Sequence, residues 1–106
     1  MAKSARRYDI YLPLTFNDGR AIPDERFDAV EDQLLGRFGG VTSLQRKFPL
    51  RGIWQGTSLS RPVIIITVLD FRPRGSGRFI TRLKRSLLRD FEQAEILITE
   101  SSIRVY

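Results

Sequence analysis

The spacing of apolar and polar positions changes several times along this chain, and each change marks an element. From Tyr8 to Leu14 the pattern alternates, with Tyr8, Ile10, Leu12 and Leu14 on one side and Asp9, Tyr11 and Pro13 on the other. A period of two predicts a half-buried strand, with Pro13 near its end because proline cannot donate to a ladder. Asn17-Asp18-Gly19 is a turn by residue type. Pro23 followed by Asp24 and Glu25 predicts a helix start, since proline suits the first turn and carboxylates suit the positive end of the dipole. Phe27, Val30, Leu34 and Phe38 then recur at helical spacing, with Leu35 on the flank. Gly39 is the expected left-handed cap, and Arg37 complements the negative end.

Past that helix the pattern is extended again. Val41 to Leu44 opens a segment that Arg46-Lys47-Phe48-Pro49 interrupts and Gly52 to Gln55 resumes. It reads as one long, bent edge strand or as two short ones. Gly56-Thr57-Ser58 and Ser60-Arg61-Pro62 suggest a hairpin connection into Val63 to Leu69. That run is β-branched nearly throughout, which predicts a central strand buried on both faces. Arg72 to Gly77 is a loop by its residue types. A second helix is predicted from near Ser76 to about Glu92, burying Phe79, Ile80, Leu83, Leu87 and Phe91. Glu95 to Thr99 reads as the closing strand, with Ile103 to Tyr106 as a short extra one.

Strand, helix, strand, strand, helix, strand is the order of a ferredoxin-like βαββαβ two-layer α+β sandwich. It has an antiparallel sheet and two helices on one face. The first and third strands would be central; another two-layer α+β order of the same elements is the alternative. The 106 residues form a single domain, 1–106, with residues 1–7 as a flexible basic N-terminal arm. No apolar stretch follows Arg7, so the start does not read as a signal peptide. The run from Val63 to Leu69 is far too short to span a bilayer. A cytoplasmic protein without a membrane contact is expected.

Composition changes the picture mainly by exclusion. The chain has no cysteine, hence no disulfide, thiolate nucleophile or zinc-thiolate site. It has no histidine, hence neither the commonest general base nor the commonest metal ligand. No catalytic residue, metal, cofactor or small-molecule substrate is inferred, and a role in binding is favoured over an enzyme. Eighteen basic against 12 acidic residues, a net charge of +6, permit an anionic partner.

Two patterns bear on assembly and on that partner. If Ile10, Leu12 and Leu14 point to the helices, Tyr11 and Pro13 point away. They are joined there by one apolar face of the third strand, such as that of Ile65, by Leu97, and by Trp54 from the second strand. An uncovered apolar sheet face usually meets another subunit, so a homo-oligomer, most simply a dimer through the sheet, is expected. On the second helix, Arg78, Arg82, Arg85 and Arg89 fall in one narrow sector, while Glu25, Asp28 and Asp32 do so on the first. The bland account is two solvated faces. The sharper one is that this row, with Arg72 and Arg74 of the preceding loop, binds phosphate groups, including those of nucleic acid. The loop runs into a helix N-terminus but lacks the lysine and hydroxyl pair of a P-loop. Asp9 and Asp70, at one end of neighbouring strands, raise a third reading, a metal-dependent phosphodiesterase.

The segments Tyr8-Asp9-Ile10-Tyr11-Leu12-Pro13-Leu14, Arg37-Phe38-Gly39-Gly40-Val41-Thr42, Gly52-Ile53-Trp54 and Phe79 through Leu83-Lys84 resemble a family of short bacterial proteins that has no assigned activity. The resemblance covers nearly the whole chain. It implies a ferredoxin-like or dimeric α/β-barrel type of fold and brings no catalytic residues with it. The function expected is therefore that of a non-catalytic homo-oligomeric interaction module, with nucleic-acid binding as the alternative.

Overall fold

The computed structural model describes residues 2–39, 42–54 and 57–106, and side chains outside 40–62. Its elements are β1 (Lys3–Pro13), α1 (Asp24–Phe38), β2 (Thr42–Trp54), β3 (Thr57–Asp70), α2 (Gly77–Asp90) and β4 (Ile98–Val105). The sheet order is β2-β3-β1-β4 with antiparallel neighbours throughout. This is the ferredoxin-like sandwich, with β1 and β3 in the centre as the pattern predicts.

The period-two pattern of β1 and the register of β3 make the floor of the core. Tyr8 faces Val68, Ile10 faces Ile66 and Leu12 faces Ile64, and all six are buried. Onto that floor α1 lays Val30 and Leu34, and α2 lays Leu83 and Leu87, with Phe91 and Ile96 closing one end. Burying side chains of this size contributes about 1.5–3 kcal/mol each. The helices run antiparallel. The Arg26 guanidinium near the start of α1 donates to the Asp90 carbonyl at the end of α2, and Arg37 near the end of α1 reaches Ser76 at the start of α2. Gly39 caps α1 in the left-handed conformation, its N–H bonded to the Leu35 carbonyl at 2.8 Å. In the β1–α1 loop, Phe16 and Ile22 are buried, held by a Thr15–Ala21 bridge around the predicted turn.

Several boundaries differ from the pattern. β1 begins at Lys3 and pairs with β4 from Lys3↔Val105 to Ile10↔Ile98. Most of the expected N-terminal arm is thus strand, because β4 supplies a partner along its full length. β4 is one strand where the pattern predicts two, and it starts at Ile98, so Glu95 to Leu97 precede it; an edge strand tolerates the polar Glu100-Ser101-Ser102 in its middle. β2 is likewise single, with a register shift between Arg46 and Pro49 just before Pro49 meets Pro62. β3 starts at Thr57, so the expected connection around Ser58 to Pro62 is ladder. From Val63 to Asp70 of β3, Ile64, Ile66, Val68 and Asp70 are buried, whereas Val63, Ile65, Thr67 and Leu69 on the alternate face remain partly exposed. β3 is therefore buried on one face within the chain, not on both.

A candidate anion cleft above a buried polar cluster

Asp70 ends β3 opposite Arg6 of β1, at the point where the chain leaves the sheet for the α2 loop. Its side chain is fully buried, yet every oxygen is satisfied. Oδ1 accepts from the Arg72 amide at 3.0 Å and from Arg72 Nη1 at 3.2 Å. Oδ2 accepts from the Ser76 hydroxyl at 2.6 Å. Ser76 stands at the N-cap position of α2 but makes no side-chain cap bond. Its hydroxyl instead links Asp70 to Arg37, whose Nε and Nη2 donate to Oγ at 3.1 and 3.0 Å. The Ser76 amide donates to the Tyr8 hydroxyl at 3.0 Å, and Arg72 Nη2 donates to the Arg37 carbonyl at 2.8 Å. The end of α1, the end of β3 and the start of α2 are thereby tied together.

The electrostatics follow from these contacts. Burial alone pushes the Asp70 carboxyl up, but hydrogen bonds from Ser76 and Arg72, with the Arg72 charge, outweigh it and hold the group below its ordinary value. Tyr8 is pushed above its ordinary value by burial and by the Glu100 carboxylate, more than the Ser76 amide lowers it. Gly75 completes the loop at φ 68°, where an added Cβ would lie 2.3 Å from Arg6 Nη1 and 3.1 Å from the Tyr8 hydroxyl.

Above the cluster lies a cleft of about 540 Å³ whose cationic lining is Arg37, Arg74, Arg78 and Arg82. Among the described residues no carboxylate lines it. The Arg37 guanidinium stacks over the Phe79 ring at 5.6 Å. A shallower groove of about 440 Å³ continues along α2 past Thr81 to Arg85.

The six arginines singled out in the sequence do not act as one row. Arg74, Arg78, Arg82 and Arg85 are exposed and make no ion pair among the described residues. Arg72 is committed to Asp70 and to the Arg37 carbonyl, and Arg89 pairs with Asp90 at 3.0 Å. Arg37, which sequence reasoning treated only as a dipole partner for α1, is the addition. Nothing local marks it, because its partner Ser76 is 39 positions away.

The two carboxylates proposed as a metal pair are not brought together. Asp9 lies on the uncovered face of the sheet, accepting from Thr67 Oγ1 at 2.6 Å and from Arg7 Nε at 3.1 Å. Asp70 is buried on the helix side, so strand alternation separates them. Among the described residues no group of three or more acidic side chains could hold a metal ion. No helix among them is long and apolar enough to cross a membrane.

The uncovered face carries Tyr11, Val63, Ile65, Leu69 and Leu97, all partly exposed. Of the expected interface residues, Pro13 is already buried within the chain, and the Trp54 side chain lies outside the described ones.

No family model matches the chain, and no curated protein matches it either. Solved structures do. A phage SAM lyase in complex with S-methyl-5'-thioadenosine matches with a TM-score of 0.62 at 16% identity, over 95% of this chain and 88% of that one. CPII, a nitrogen regulatory PII-like protein from Thiomonas intermedia K12 bound to ADP, AMP and bicarbonate, matches with a TM-score of 0.54 at 16% identity, over 100% and 99% of the two chains. These likenesses show the ferredoxin-like fold.

Proposed function

We propose that this chain is a homo-oligomeric binding module whose subunits meet through the uncovered face of the sheet. The observation that carries the reading is the composition of that face. Tyr11, Val63, Ile65 and Leu97 form an apolar band on the side without helices, with Leu69 beyond the Asp9–Thr67 pair. A strand with one solvated face alternates apolar with polar, as β1 does, whereas β3 is apolar on both faces from Val63 to Ile66. The polar members within it are compatible with burial: Asp9 is already satisfied by Arg7 and Thr67. Covering this group costs less than burying an unpartnered carboxylate, since a paired charge keeps its hydrogen bonds. A second copy supplies the same band, so a twofold contact is self-complementary. Binding in place of catalysis fits the absence of histidine and cysteine. Small-ligand binding on this fold has examples in both neighbours, a lyase that holds S-methyl-5'-thioadenosine and a PII-like regulatory protein that holds adenine nucleotides.

Light scattering of the full chain tests the reading. The expected mass is a small multiple of 12.2 kDa across the micromolar range. A mass of one chain at all concentrations overturns it.

A further inference from the structure

We propose that the cleft at the junction of α1 and α2 binds a small molecule through a diphosphate group. This site lies on the helix side and is built from a single chain, so it stands independently of how the subunits assemble.

The first argument is charge without a counter-charge. Arg37, Arg74, Arg78 and Arg82 surround one concavity that no carboxylate lines. Arg74, Arg78 and Arg82 find no ion pair among the described residues, although Arg72 and Arg89 beside them do. A solvated face of ordinary composition interleaves signs, and four converging guanidiniums repel one another until an anion sits between them. Guanidinium suits phosphate oxygens because its planar fork donates two parallel bonds.

The second argument is preorganisation. Arg37 is held by two bonds to the Ser76 hydroxyl and by the Phe79 ring. Ser76 is in turn held by the buried Asp70 carboxylate at 2.6 Å. A guanidinium has five N–H donors, so about three of those on Arg37 remain for a ligand. Asp70 and Ser76 are positioning residues: they fix the direction of the guanidinium without lining the cleft with negative charge. Groups fixed before binding lose little entropy when the ligand arrives.

The third argument is shape. A volume of about 540 Å³ is that of a small-molecule site. A nucleic-acid backbone would need a longer track than this, since the unpaired row along α2 ends at Arg85 and Arg89 pairs with Asp90. The four charges match a diphosphate, which carries more charge and more acceptors than a single phosphate. The first turn of α2 adds in the same sense, since it contains no acidic residue whereas that of α1 has Asp24 and Glu25.

Calorimetric titration of the full chain with sodium pyrophosphate, inorganic phosphate, ADP and a single-stranded oligonucleotide, at low and physiological salt, tests the proposal. Expected is saturable binding of pyrophosphate and ADP at one site per chain, tighter than inorganic phosphate. Arg78→Ala should weaken it about tenfold or more, as for loss of a charge-assisted contact. Arg37→Lys, which keeps the charge but loses the fork, should weaken it too, while Arg89→Ala leaves it unchanged. Absence of saturation with pyrophosphate overturns the proposal. So does equal loss in Arg78→Ala and Arg89→Ala, or binding of the oligonucleotide alone. Because Arg78 is exposed, its variant folds whatever becomes of Arg37→Lys.

Discussion

The hydroxyl of Ser76 lies 2.6 Å from Oδ2 of Asp70, and with the Ser76 amide bond to the Tyr8 hydroxyl it holds the start of α2 against the sheet. Residues six apart, one ending β3 and the other preceding α2, are thus joined inside the protein, with Ser76 donating and Asp70 accepting. Asp70→Asn should lower stability by about 1–3 kcal/mol, because an amide is a weaker acceptor and adds a donor among donors. The pH dependence has a definite sign. A carboxyl held below its ordinary 3.8 stabilises the fold above that value and loses its contribution as pH falls through the folded value. Urea midpoints measured from neutral pH downward should therefore drop below about pH 4 in the parent protein and less steeply in Asp70→Asn. Parallel curves would show that Asp70 is not the group responsible.

Gly75 is a glycine for two separate reasons, its φ of 68° and the 2.3 Å approach of Arg6 Nη1 to any Cβ. Gly75→Ala should cost about 1–3 kcal/mol from left-handed strain and displaced neighbours. Gly36 lies inside α1 with nothing within 4 Å of an added Cβ. Gly36→Ala should stabilise by up to about 1 kcal/mol through helix propensity. Thermal unfolding of the two variants should move the midpoint in opposite directions. Movement in the same direction would contradict the backbone geometry described for the loop.

These two residues also show what was legible in the sequence and what was not. The period of two in Tyr8 to Leu14 and the spacing of Leu83 and Leu87 are local signals, and they predict the order of elements, both helices and the central strands. The turn at Gly19 and the cap at Gly39 were equally readable, since left-handed positions select glycine. The Asp70–Ser76–Arg37 chain was not, because it joins three elements and no spacing rule connects them. Phe16 and Ile22 escaped for a related reason: in a loop there is no period by which to recognise a core position. The helical spacing of the arginines is readable, but only the fold separates Arg74, Arg78 and Arg82, which face the cleft, from Arg72 and Arg89, which are already paired.

Tyr8 joins the same cluster from the floor of the core. Its hydroxyl accepts from the Ser76 amide at 3.0 Å and stands opposite Glu100 on β4. Burial and that carboxylate raise its ionisation above 10.0, so the neutral phenol stabilises the fold at ordinary pH. This stability is fully present below the unfolded value and is lost as pH rises through the folded one. Absorbance titration should show a late phenolate step coinciding with alkaline unfolding, absent in Tyr8→Phe. Titration curves of parent and variant that differ only in amplitude, with no change at the high-pH end, would contradict the placement of Tyr8.

The uncovered sheet face yields a prediction about mass and stability together. Ile65 and Leu97 are partly exposed there, while Ile64, Ile66 and Ile96 beside them are buried under the helices. Leu97→Lys and Ile65→Thr therefore alter the band without opening the core, and circular dichroism should remain that of the parent. At an interface, the lysine would bury an unpaired charge at each symmetric copy, which costs several kcal/mol and favours separate chains. Light scattering should then fall from the oligomer to 12.2 kDa in Leu97→Lys, with Ile65→Thr intermediate. Glu25→Lys on the helix side serves as the comparison, because α1 faces away from the band. Dissociation by Glu25→Lys alone would place the contact on the helices and remove the sheet as the assembly surface.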